Sequence, residues 1–152
     1  MYHSHFLEEI LSSNELNDLT EIMDFSLDKK IDLNKIQEKV AIGNFLQVKL
    51  NKIIYKLKML YADLEVEYDI WYSTKYHIVI EEYDGFPELL KTPKDYEREI
   101  KKHPEFKEIK TLLKKFEYTI TSLEMKEKEM NSFDWKVKGI IDLHKLINNI
   151  VY

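Results

Sequence analysis

An all-α fold is predicted by three observations. The 152-residue chain contains only three Gly and three Pro, too few for the tight turns of a sheet protein. Its apolar residues recur at alternating spacings of three and four over two long stretches. The residues that break helices gather in one short segment between those stretches. A single all-α domain over 1–152 follows: short N-terminal helices in 1–31, a long helix over 32–84, a connector with a short helix over 85–103, and a second long helix over 104–150.

Each element has its own signal. Between residue 4 and about residue 30, Leu16, Leu19, Ile22 and Met23 sit at helical spacing behind Ser13, a candidate N-cap. Asp32 is a plausible N-cap for the first long helix, whose seam runs through Leu46, Leu50, Ile53, Leu57, Leu60 and Leu64 and extends to Tyr68 and Trp71. Gly85 and Pro87 end it. Thr92–Pro93 reads as an N-cap with Pro at the first helical position, and Pro104 restarts the chain in the same way. The second seam runs from Phe106 through Ile109, Leu113, Phe116, Ile120 and Leu123, is interrupted by Glu127, and resumes at Met130, Val137 and Ile141. Asp134 and His144 lie on or near its continuation, and Glu127 either enters the seam, where it needs a partner such as a lysine, or lies at its edge and reaches water. Two such helices, each roughly 65–75 Å long at about 1.5 Å per residue, form an antiparallel hairpin.

A hairpin buries only one stripe of each helix. Phe45, Val48, Ile54, Met59, Tyr61, Leu112, Phe133, Trp135 and Ile140 fall off the seams. They require cover from the N-terminal helices or from another subunit, so an oligomeric bundle is expected.

Composition limits the chemistry. The chain lacks cysteine, which removes disulfides, thiolate catalysis and cysteine-ligated metals and suits a reducing compartment. Neither a signal-like N-terminus nor an apolar run near the roughly 18 residues of a membrane span is present, so a cytoplasmic protein without membrane contact is expected. The five histidines are scattered, His3 and His5 read as a frayed terminus, and no Glu-x-x-His pair, phosphate loop or nucleophile elbow occurs. No enzyme activity, catalytic residue, metal or cofactor is expected.

The formal charge of −5 is unevenly distributed, with regional balances of −6 for 1–38, +5 for 39–62, −7 for 63–99 and +3 for 100–152. In the acid-free stretch from Lys39 to Ala62, Lys49, Lys52 and Lys56 fall within about 60° on a helical wheel. Aligned ammoniums beside Phe45 suit phosphate neutralisation. They suit equally a helix flank paired with glutamates of the second helix or of a neighbour. In "EYDIWYSTKYH", residues 67–77, the wheel puts Tyr68 and Trp71 in the seam, Tyr72 at its border and Tyr76 facing away. Tyr72 and Tyr76, with Lys75 and His77 beside them, are the candidates for stacking on bases.

The stretch "WKVKGIIDLHKL", residues 135–146, resembles the closing helix of the phage UvsY-like recombination mediators. Trp135, Val137, Lys138, Ile140 or Ile141, Asp142, Leu143 and Leu146 carry the likeness. Upstream it extends through "IDLNKI", the Lys-containing long helix and the aromatic pair in "WYST", covering roughly residues 32–146. The resemblance implies a non-enzymatic accessory factor in the host-cell cytoplasm that binds single-stranded DNA and assembles into a small homo-oligomeric ring. Such a factor helps a RecA-like recombinase to displace the single-strand-binding protein. The family carries basic residues just before the aromatic pair, where this chain has Glu65, Val66, Glu67 and Tyr68. Contacts to DNA are therefore expected from Lys49, Lys52, Lys56, Tyr72, Lys75, Tyr76, Lys136 and Lys138. A helical adaptor or phage structural protein that binds no DNA is the other reading.

Overall fold

The computed structural model describes residues 5–26, 33–83 and 92–150, and among them every regular element is helical. In chain order these are α1 (His5–Ile10), α2 (Ser13–Asp24), α3 (Leu33–Tyr83), α4 (Pro93–Lys101), α5 (Pro104–Asn131) and α6 (Phe133–Ile150). The predicted breakers Gly85 and Pro87 and the candidate cap Asp32 lie outside the described residues. The chain divides into two compact units, one built from 1–56 with 120–152 and the other from 57–119. Residues of α3 and α5 occur in both.

The first unit is organised around Phe25. Ser12, rather than Ser13, caps α2: its hydroxyl accepts from the Glu15 N–H at 3.2 Å, and the Glu15 carboxylate accepts from the Ser12 N–H at 3.0 Å. A capping box needs Glu or Gln three residues after the cap, and only Ser12 has one. Leu19 and Ile22, both fully buried, seat the helix. Phe25 ends it and packs its ring on Phe133 of α6 at 4.9 Å. Gly43 of α3 admits that ring. A Cβ at Gly43 would lie 3.0 Å from the edge of Phe25 and 3.3 Å from Phe133. Gly43→Leu is therefore expected to cost about 1–3 kcal/mol by overpacking. Gly139 of α6 has nothing within 4 Å of its missing Cβ, and Gly139→Ala there should gain up to about 1 kcal/mol of helix propensity. Thermal melts of the two variants against wild type check the pair.

Two expectations are corrected in this unit. The second long helix is not continuous: it breaks at Ser132, between α5 and α6. The Ser132 hydroxyl donates to the Glu129 carbonyl at 2.6 Å, the acceptor that the Phe133 N–H would use in an unbroken helix. The seam also passes through Lys126, not Glu127. Lys126 is 7% exposed, whereas Glu127 is half-buried. Beyond the break Phe133 and Ile140 are buried, while Val137 and Ile141 are only half-buried. Of the surplus apolar residues, Ile54, Phe133 and Ile140 are thus covered within the chain, and Phe45, Val48 and Trp135 remain exposed.

In the second unit α3 and α5 run antiparallel. Tyr61 donates to Glu117 at 2.6 Å, Tyr68 packs on Phe106 at 6.4 Å, and the Trp71 indole N–H donates to Glu105 at 2.6 Å. The partner's number falls as the α3 number rises. Thr92 is the N-cap of α4, its N–H and hydroxyl both donating to the Asp95 carboxylate at 3.2 and 3.0 Å, with Pro93 at the first position. Ile100 of that helix is fully buried. The α3 seam thins here: Leu57 is fully buried, Leu64, Tyr68 and Trp71 are half-buried, and Leu60 is exposed.

Candidate nucleic-acid interface

The expected three-lysine face of α3 is divided by α2. Lys49 Nζ lies 2.8 Å from Asp18 Oδ1, and Lys56 Nζ lies 2.7 Å from Glu15 Oε1. The acids come from the N-terminal helix, not from the second long helix or a neighbour as expected of a paired flank. The spacing accounts for it: Glu15 and Asp18 are three apart on α2, and Lys49 and Lys56 are two turns apart on α3, so one crossing brings both pairs together. A phosphate at these ammoniums would compete with carboxylates already in contact. Lys52 is exposed and has no ion-pair partner among the described residues.

Burial pulls the Glu15 carboxyl upward. The hydrogen bond from Lys56, the Ser12 N–H and hydroxyl, and the Lys56 charge together outweigh it, and the group is held below its ordinary value of 4.5. A carboxyl depressed by folding stabilises the fold above its unfolded value. That stability is lost as pH falls through the lower folded value. Wild type should therefore lose about 0.5–1 kcal/mol below pH 4.5 relative to Glu15→Gln, which keeps the capping box without the charge. Urea midpoints of both proteins across that pH range test the sign.

In the second unit the aromatic residues form a ladder rather than an open platform. Tyr68 stacks near Trp71 at 6.4 Å, and Trp71 meets His103 edge-on at 6.5 Å. Tyr72 and Tyr76 are roughly parallel at 6.5 Å, and Tyr76 packs edge-on against Tyr96 of α4 at 5.5 Å. Tyr76 therefore does not face away, as the wheel implied; α4 covers it, and no wheel of α3 alone contains α4. Lys75 is half-buried without an ion-pair partner among the described residues. Lys110 of α5 lies 4.4 Å over the Tyr68 ring, a cation that only the cross-helix register reveals. Acidic groups dominate the surroundings. Burial and then the Glu97 charge hold the Tyr72 hydroxyl's pKa above its ordinary value, and Glu65, Glu67 and Asp69 are exposed on α3. That field opposes a polyanion.

The third group lies on α6 in the first unit. Trp135 is 78% exposed, and Lys138 Nζ sits 5.9 Å from its ring centre. Lys136 lies 5.7 Å from the centre of the buried Phe133 ring. On the helix the two lysines flank Trp135 at about +100° and −60°. Both are exposed, and neither has an ion-pair partner among the described residues. An open indole with an exposed ammonium on each side can stack on a base and contact the adjoining phosphates. From sequence Trp135 reads as surplus apolar surface. The signal was the tetrapeptide Trp-Lys-Val-Lys itself, which puts a lysine on each side of the ring.

Among the described residues no group of three or more His, Asp or Glu is placed to hold a metal ion, and no helix is long and apolar enough to cross a membrane. Compared with known proteins, the chain matches no family model, no curated protein and no solved structure.

Proposed function

We propose that the chain is a non-enzymatic recombination mediator of the UvsY-like kind, which binds single-stranded DNA and helps a RecA-like recombinase to form its filament in place of single-strand-binding protein. The carrying observation is Trp135, exposed between Lys136 and Lys138, which have no ion-pair partner among the described residues, in the segment that resembles the closing helix of such mediators. Each copy would supply one stacked base and a few phosphate contacts. A homo-oligomer would multiply those weak contacts through effective concentration.

Titration of an oligothymidylate, followed by anisotropy and by Trp135 fluorescence, tests this reading. Trp135→Ala should weaken binding by about 1–3 kcal/mol, the worth of one stacked base. Replacing Lys136 and Lys138 by Ala should flatten the dependence of log K on log salt by about 1.4, since each phosphate contact on a single strand contributes about 0.7. Binding that ignores all three changes would reject the α6 site.

The adaptor reading has its own support in the internal pairing of Lys49 with Asp18 and Lys56 with Glu15, and in the acidic surroundings of the aromatic ladder. A chain that binds no oligonucleotide even at low salt would leave that reading in possession.

A further inference from the structure

A small cavity lies at the break between α5 and α6, wholly within the first unit. It holds about 130 Å³ and is lined by Val40, Asn44 and Gln47 of α3, Met130 and Asn131 of α5 and Phe133 of α6. Val40, Asn44 and Gln47 stand at i, i+4 and i+7, so one face of α3 supplies that side of the cavity. Met130 and Phe133, both buried, supply its apolar part. None of the six residues is charged and three are carboxamides, so the cavity selects by hydrogen-bond pattern and not by charge. The Gln47 amide N–H donates to the Asn131 side-chain oxygen, joining α3 to α5. That bond orients both groups and leaves Gln47 a carbonyl oxygen and a second N–H, and Asn131 both of its N–H groups. The Asn44 side chain makes no hydrogen bond among the described residues and, exposed like Asn131, adds a further donor and acceptor.

Asn131 stands four residues before Trp135, and the helical spacing carries across the break: the Ser132 N–H donates to the Lys128 carbonyl and the Lys136 N–H to the Ser132 carbonyl, each at 3.2 Å. Asn131 and the exposed Trp135 therefore sit on neighbouring turns of one side. We propose that this carboxamide cavity is a base-reading subsite that takes the amino edge of adenine. A carboxamide presents one donor beside one acceptor, and adenine answers with its N7 acceptor beside its N6 amino donor, giving two parallel hydrogen bonds. On that edge thymine offers an acceptor without a donor, guanine two acceptors and cytosine a lone donor, so each forfeits one bond of the pair. The cavity's volume, about four waters at roughly 30 Å³ each, admits the edge of one base and leaves sugar and phosphate outside. Stacking on Trp135 accepts any base, because every base has a π-face, and the cavity adds a choice among them for the adjoining base. The inference rests on the reading that a single strand lies along α6, and adds base selection to it.

Competition anisotropy with the full chain tests it, using oligomers of equal length in adenine, in thymine and in 7-deazaadenine, which keeps the stacking face and the amino group but lacks N7. Wild type should prefer adenine to each of the others by about five-fold or more, the worth of one bidentate pair. The double change Asn44→Ala with Gln47→Ala should bring the three affinities together and leave that for thymine unchanged. Helicity should be kept, because alanine is the better helix former. Trp135→Ala should lower all three affinities and keep their order. A second arm identifies the source of the base: free adenosine and free thymidine are titrated against the side-chain amide signals of Asn44, Gln47 and Asn131 by NMR, and only adenosine should shift them. Equal affinity for the adenine and 7-deazaadenine oligomers, or an adenine preference that survives the double change, overturns the subsite. If no oligomer binds while adenosine shifts the amides, the strand reading fails and the cavity stands as a site for a free nucleoside. If no oligomer binds and adenosine shifts nothing, both fail.

Discussion

Lys126→Glu is expected to destabilise the first unit by about 3–5 kcal/mol, the penalty for leaving a buried charge without an opposite partner. Lys126 is the buried charged residue of the described core, and its ammonium donates to the Phe25 carbonyl at 2.8 Å, with Glu129 3.4 Å away. Glutamate would turn a carboxylate toward a carbonyl oxygen and a second carboxylate. Lys126→Met keeps the stem but leaves the Phe25 carbonyl without its donor, and should cost only about 1–3 kcal/mol. The order Glu, then Met, then wild type in urea-unfolding midpoints separates lost charge from lost packing. Equal effects of the two variants would mean that the ammonium contributes nothing beyond its stem.

Leu19→Ala is expected to cost about 2–5 kcal/mol, because the side chain is fully buried and its removal leaves a cavity. The half-buried Leu16 on the same helix is the internal control and should cost distinctly less on truncation. Denaturant titration provides the comparison. The Leu19 variant has a second readout, since α2 carries the two carboxylates that occupy Lys49 and Lys56. Loosening that helix releases both ammoniums, so any affinity for single-stranded DNA should become steeper in salt. Unchanged salt dependence in a destabilised Leu19→Ala would show that α2 stays docked.

Much of the architecture follows from local rules. The helix over 33–83, the capped start at Thr92–Pro93 and the restart at Pro104 all follow from periodicity and from residues with few backbone options. Ser12 was legible too, by the reciprocal reach of Glu15, once the capping box rather than the nearest serine is taken as the signal. The break at Ser132 was harder to see, because a serine hydroxyl competing for one carbonyl leaves no trace in the hydrophobic pattern.

Of the expected DNA contacts, Lys136 and Lys138 lie where an exposed ring and exposed lysines coincide, while Lys49 and Lys56 are paired with α2 and Tyr76 packs against α4. A helical wheel reports direction within one helix. Whether a side chain is free is decided by what a different helix brings to it.

The sequence by itself determined the helical class, the antiparallel pairing and the absence of thiol chemistry, because periodicity, breakers and residue types act locally. Only the tertiary structure decided which charges are already neutralised and that Lys126 and not Glu127 enters the core. Each of those depends on pairs far apart in the chain, such as Lys126 with Phe25 and Lys56 with Glu15. No local pattern encodes such distances.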